Sequence, residues 1–129
     1  MYCYDTDGNE YAEFPCCFNY WSPHKPIANG IYYITNENDY AMEYGHDVGA
    51  AYGTFWVALD RDTGKGWHGY GAGRTLTSGT YGCIRSENED GEQVCRAIEQ
   101  SLDAGITVSA EVVGEVDEDE FCVGDDGEQ

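Results

Sequence analysis

The sequence predicts a β-rich α+β domain, and three observations carry that expectation. Short β-branched and aromatic runs bounded by turn residues recur through the first half of the chain. One stretch with helical spacing follows them, between Ser86 and Leu102. A final β-branched run, entered through Gly105, closes the order. The 129 residues fit one domain, and 41% hydrophobic residues with eleven Tyr supply enough apolar surface for a packed core.

Residues 1–25 are rich in Tyr, Cys, Asp and Pro and read as an irregular segment, with Phe14, Phe18, Tyr20 and Trp21 pinned onto the body. Gly30-Ile31-Tyr32-Tyr33-Ile34-Thr35 reads as a strand between Gly30 and Asn36, and a second strand is expected near Tyr40 to Tyr44. Thr54-Phe55-Trp56-Val57-Ala58-Leu59 is the strongest strand, closed by the turn residues Asp60 to Gly64. From Gly64 to Gly82 there are seven glycines in nineteen residues, which excludes a helix and points to backbone in close approach. Ser86-Glu87-Asn88-Glu89 has capping-box spacing, after which Val94, Cys95, Ile98 and Leu102 recur on one helical face. Gly105 stops that helix, and Ile106 to Val112 is the last strand.

The formal net charge is -19, from 25 Asp plus Glu against 6 Lys plus Arg. Nucleic-acid binders neutralise phosphates with clustered Lys and Arg, and no such cluster occurs, so nucleic acid is excluded as a partner. An anionic membrane surface is disfavoured for the same reason. Eight of the acidic residues fall between Glu115 and Gln129, giving residues 115–129 the character of a solvated acidic tail. The rest of the chain is acidic too, as solubility in a salty medium would require. Asp5, Asp7, Asn9 and Glu10 around Gly8 resemble the start of a calcium loop, but Cys16 stands where the bidentate Glu belongs. The three His and the cysteines match no common structural-zinc spacing, so neither metal nor cofactor is expected.

No run of 18 apolar residues and no basic start with an apolar stretch occurs, so membrane insertion and a standard leader are not expected. Six cysteines allow three disulfides of undetermined connectivity.

Chemistry concentrates between His68 and Arg85. Fourteen residues separate His68 from Cys83, which sits in the string Thr80-Tyr81-Gly82-Cys83-Ile84-Arg85. A thiol attacks a carbonyl as thiolate, and its ordinary pKa of about 8.5 leaves little ionised at neutral pH, so a nearby imidazole must take the proton. His68 is the obvious partner. Gly82 before the nucleophile lets the backbone N–H groups of Tyr81, Gly82 and Cys83 turn toward a substrate carbonyl as an oxyanion hole. His24 and His46 read as loop or surface residues.

His68, Gly69, Thr80, Gly82, Cys83, Ile84 and Arg85 match in kind and order the signature of the L,D-transpeptidase (YkuD-like) family, which the chain resembles. That signature is a His-Gly pair, a spacer of about fourteen to seventeen residues, then Ser or Thr, His, Gly, Cys, an apolar residue, and Arg or Asn. The likeness extends from Pro26 to Val113: Pro26-Ile27-Ala28-Asn29-Gly30-Ile31-Tyr32 resembles the family's early Pro-x-x-x-Gly-x-Tyr stretch. Residues 26–114 would then form an L,D-transpeptidase-like β-sandwich with one main helix after Cys83, flanked by residues 1–25 and the tail. Tyr81 departs from the pattern, replacing the family's second histidine, and a phenol is a poor base at neutral pH.

The resemblance implies acyl transfer on peptidoglycan stem peptides by a monomer acting in a periplasm or cell wall. Delivery without a leader would fit a phage-encoded enzyme or a secretion-system effector. His68 would deprotonate Cys83, with its imidazole oriented by a backbone carbonyl near Gly69. Arg85 and Thr80 would hold the pocket or the substrate's carboxylate, and Arg74 would add positive charge. The thioester would pass to an amine or to water. Two other classes compete: the same fold as an inactive cell-wall-binding or structural module, and an unrelated small acidic β-rich binding protein. Papain-like amidases place the Cys before the His, the reverse of the order here.

Overall fold

The run from Gly53 to Asp60 places five consecutive apolar residues, Phe55 to Leu59, around β-branched and aromatic positions, and it forms an inner strand of the main sheet, buried along most of its length. The computed structural model describes residues 1–5, 7–17, 27–35, 42–78, 80 and 82–113. Along the chain these form β1 (Tyr2–Tyr4), β2 (Glu10–Glu13), β3 (Cys16–Cys17), β4 (Gly30–Ile34), β5 (Met42–Gly49), β6 (Gly53–Asp60), β7 (Lys65–His68), β8 (Ile84–Ser86), α1 (Asn88–Asp103) and β9 (Val108–Val112). The class is strand-rich α+β with one helix among the described residues, as the sequence predicts.

The main sheet has five strands in the order β3-β8-β7-β6-β5. Neighbours are antiparallel except β7 and β8, which run parallel with Trp67 opposite Ile84 and His68 opposite Arg85. Parallel neighbours need a crossover of a dozen or more residues. Here that crossover is the glycine-rich stretch 69–83. β4 and β9 form a separate antiparallel pair, with Tyr32 and Ile34 turned inward and Ile31 and Tyr33 exposed.

One face of the main sheet carries Phe55, Val57, Leu59, Trp67 and Ile84, which belong to a single apolar cluster with Val94, Cys95 and Ile98 of α1. The helix lies close over β6 because Gly91 has no side chain: a Cβ there would collide with the Phe55 ring. Burying these aliphatic and aromatic groups contributes roughly 1.5–3 kcal/mol each. The helix ends as expected: Gly105 takes a φ of 78°, its N–H bonds the Leu102 carbonyl, and the Ile106 N–H bonds that of Ser101.

Two expectations are corrected. Residues 1–17 are not irregular: β1 and β2 form a hairpin, β3 is an edge strand of the main sheet, and Phe14 stacks on Trp67 with ring centroids 6.0 Å apart. Asp5 holds the hairpin loop, its Oδ1 accepting from the Asp7 and Asn9 N–H groups, as an Asx-turn does. The capping box is not formed. Glu87 is the N-cap but its side chain makes no capping bond, accepting the Tyr70 hydroxyl instead, and the Ser86 hydroxyl accepts the Trp67 indole N–H at 2.9 Å. The glycine-rich stretch brings backbone into close approach as expected: it contains β7, where a Cβ on Gly66 would strike the Val57 carbonyl. Phe18, Tyr20, Trp21, His24 and the acidic tail lie outside the described residues.

Candidate functional site

Side chains alternate along a strand, so the residues paired with the core-facing Trp67 and Ile84 leave His68 and Arg85 together on the opposite face. Trp56, opposite His68 on β6, and Cys17, opposite Arg85 on β3, fall on this face as well. Cys83 precedes β8 by one residue. Its sulfur accepts the N–H of Gly66, two residues before His68, at 3.4 Å. His68 thus ends β7, and Cys83 immediately precedes β8, its parallel neighbour.

His68 is buried. Its Nδ1 lies 2.7 Å from the Gly69 carbonyl oxygen. A carbonyl only accepts, so Nδ1 carries the proton and Nε2 presents its lone pair. Tyr52 meets the imidazole edge-on at 4.9 Å, and Trp56 stacks on it at 5.9 Å with 21° between planes. Desolvation by this enclosure pushes the imidazole pKa down to about 3, with the Arg85 charge acting in the same direction and the Gly69 bond opposing both. Cys83 is 7% exposed and not disulfide-bonded. Burial raises its pKa, while the Gly66 N–H, Arg85 and Lys65 pull it back. Both shifts favour the uncharged form, thiol at Cys83 and imidazole at His68.

Arg85, fully buried, reaches four backbone carbonyls: Nε to Gly69 at 3.3 Å, Nη1 to Thr75 at 3.4 Å and Ser78 at 2.6 Å, and Nη2 to Ala51 at 3.3 Å. These bonds tie the guanidinium to the surrounding backbone, and binding a carboxylate would break them. Arg74 lies near enough to lower the Arg85 pKa, after desolvation, so positive charge does gather here.

Thr80 shapes the turn before Cys83. Its hydroxyl donates to the Cys83 carbonyl at 3.1 Å and accepts the Gly82 N–H at 3.0 Å. That bond turns the Gly82 N–H away from the expected oxyanion hole. Gly82 serves the turn instead, at a φ of 113° that favours glycine. Its carbonyl accepts the Ile27 N–H at 2.8 Å, which fixes the plane of the peptide carrying the Cys83 N–H. Tyr81 lies outside the described residues. His46 is exposed on β5, 3.6 Å from Glu43. Among the described residues, no group of three or more His, Cys, Asp or Glu is placed to hold a metal ion, and no helix is long and apolar enough to cross a membrane.

Sequence reasoning missed Tyr52, Trp56 and Asn88. Trp56 reads only as a strand residue and Tyr52 falls in no predicted element; the Trp56–His68 register brings Trp56 to the imidazole, and Tyr52 meets it by a tertiary contact. Asn88 was taken up in the capping-box spacing. Comparison of the chain with protein-family models, curated proteins and solved structures gives no match.

Proposed function

We propose that the chain is a cysteine acyltransferase of the L,D-transpeptidase type, acting on the tetrapeptide stems of peptidoglycan. One observation carries the reading: the His68 imidazole is held by the Gly69 carbonyl in the tautomer a general base needs, on the strand beside the segment that bears Cys83. In this reaction His68 Nε2 takes the Cys83 proton as the sulfur attacks the carbonyl of the diamino acid at stem position three. Both groups are neutral at rest, so proton transfer accompanies attack. The Cys83 N–H donates to the developing oxyanion. The imidazolium returns its proton to the departing amine, D-alanine leaves, and a thioester on Cys83 remains. An amine or water then takes the acyl group and restores the thiol, giving a cross-link, an exchange or a shortened stem. Arg85 and Thr80 hold the loops around the sulfur, and Arg74 and Lys65 supply positive potential for a carboxylate-bearing stem.

The burial of Cys83, with the aromatic cover on His68, favours a second reading: an inactive cell-wall-binding module on the same scaffold. Muropeptide analysis of purified peptidoglycan separates the two. The enzyme reading expects stem products with the wild type and none with Cys83→Ala. The module reading expects both forms to sediment with the peptidoglycan and leave its stems unchanged.

A further inference from the structure

The Asn88 side chain joins three segments that are far apart in sequence. Its Oδ1 accepts the Thr54 N–H at 3.1 Å and the Tyr70 N–H at 3.3 Å, and its Nδ2 donates to the Tyr70 carbonyl at 2.9 Å. Two glycines make room for it. A Cβ on Gly53 or on Gly69 would overlap Asn88 Oδ1. The Tyr70 N–H belongs to the same peptide unit as the Gly69 carbonyl, and a trans peptide unit is planar with its N–H and C=O pointing opposite ways. Gripping the N–H on one side therefore aims the carbonyl on the other. That carbonyl is the acceptor for His68 Nδ1 and for Arg85 Nε.

We infer that Asn88 is the positioning residue of the site, setting the His68 tautomer and ring orientation through the Gly69–Tyr70 peptide. It stands where a carboxylate stands in a Ser-His-Asp arrangement, with one peptide unit interposed, and it carries no charge. A neutral relay suits an enclosed imidazole, because a carboxylate there would have to be desolvated as well. The importance of Asn88 for catalysis rests on the acyltransferase reading. Its hold on the imidazole does not.

The test uses the full chain with ¹⁵N-labelled histidine. In the wild type, His68 gives the signature of a single neutral tautomer protonated at Nδ1. Asn88→Ala, folded by circular dichroism, is expected to give a mixture of tautomers, and Asn88→Asp, which keeps the acceptor for both N–H groups, to restore the single form. A folded Asn88→Ala with an unchanged His68 signature overturns the inference. Should the alanine variant fail to fold, amide exchange in the wild type decides. Protection of the Tyr70 amide together with a slowly exchanging His68 Nδ1 proton supports the relay. A Tyr70 amide that exchanges freely while that proton stays ordered overturns it. None of these signals depends on activity toward stem peptides, so they separate this inference from the acyltransferase reading.

Discussion

His68 and Arg85, opposite one another on parallel strands, donate to the same acceptor: the Gly69 carbonyl receives imidazole Nδ1 at 2.7 Å and guanidinium Nε at 3.3 Å. The group that orients the base is thus tied to the group that anchors the crossover loop. Arg85→Lys keeps the charge and loses the fork that spans Ala51, Gly69, Thr75 and Ser78. Leaving several of these buried carbonyls without donors is expected to cost about 3 kcal/mol or more, read as a lower denaturant midpoint. A folded, equally stable Arg85→Lys that only weakened substrate binding would instead assign Arg85 to the substrate.

The depressed imidazole pKa has a consequence for stability. In the unfolded chain a histidine titrates near 6.5, whereas folded His68 stays neutral down to about 3. Below pH 6.5 the unfolded state binds a proton that the folded state refuses, so stability falls as pH falls, by up to about 1.4 kcal/mol per pH unit. Between pH 6.5 and 5, above the carboxylate range, the denaturant midpoint of the wild type should drop more steeply than that of His68→Gln. Parallel slopes would show that His68 is not desolvated in this way.

Thiol reactivity follows the same logic. With Cys83 raised by burial and no imidazolium beside it, alkylation by iodoacetamide should be slow at pH 7 and climb with pH beyond the range of an ordinary thiol. Mass mapping of the labelled cysteine measures this. A pH-independent, fast reaction at Cys83 near neutrality would indicate a thiolate–imidazolium pair instead.

Ser86 and Glu89 distinguish the observed helix start from the expected one. Ser86→Ala leaves the buried Trp67 indole N–H without its acceptor and should cost about 1–3 kcal/mol. Glu89→Ala, which removes no capping bond, should stay within about 0.5 kcal/mol of wild type. Equal losses at both positions in thermal melts would restore the capping box.

What the sequence makes legible depends on the range of the forces involved. The strand from Thr54 to Leu59 and the helix face of Val94, Cys95, Ile98 and Leu102 are written in local periodicity, and both are found where expected. The strand Lys65–His68 hides beside glycines, of which Gly66 serves close packing on β6, a tertiary demand. β3 is two residues long, and its pairing with β8 has no local signature. At the candidate site, spacing along the chain singled out His68, Gly69, Thr80 and Cys83, and the structure places all four at β7 or in the crossover that leads to β8. Arg85 was legible in place but not in partners. Asn88, Tyr52 and Trp56 act through register and through contacts far along the chain, which no local pattern records.

The central claim, that Cys83 is an acyl-accepting nucleophile, is tested most directly by intact mass. Reduced, folded protein is incubated with a carbapenem, an acyl donor that enzymes of the proposed type take onto their cysteine, alongside Cys83→Ala under the same conditions. The account predicts a single covalent adduct on the wild type, mapped to Cys83, and none on the variant. An unmodified wild type, or an adduct that persists in Cys83→Ala, would contradict it.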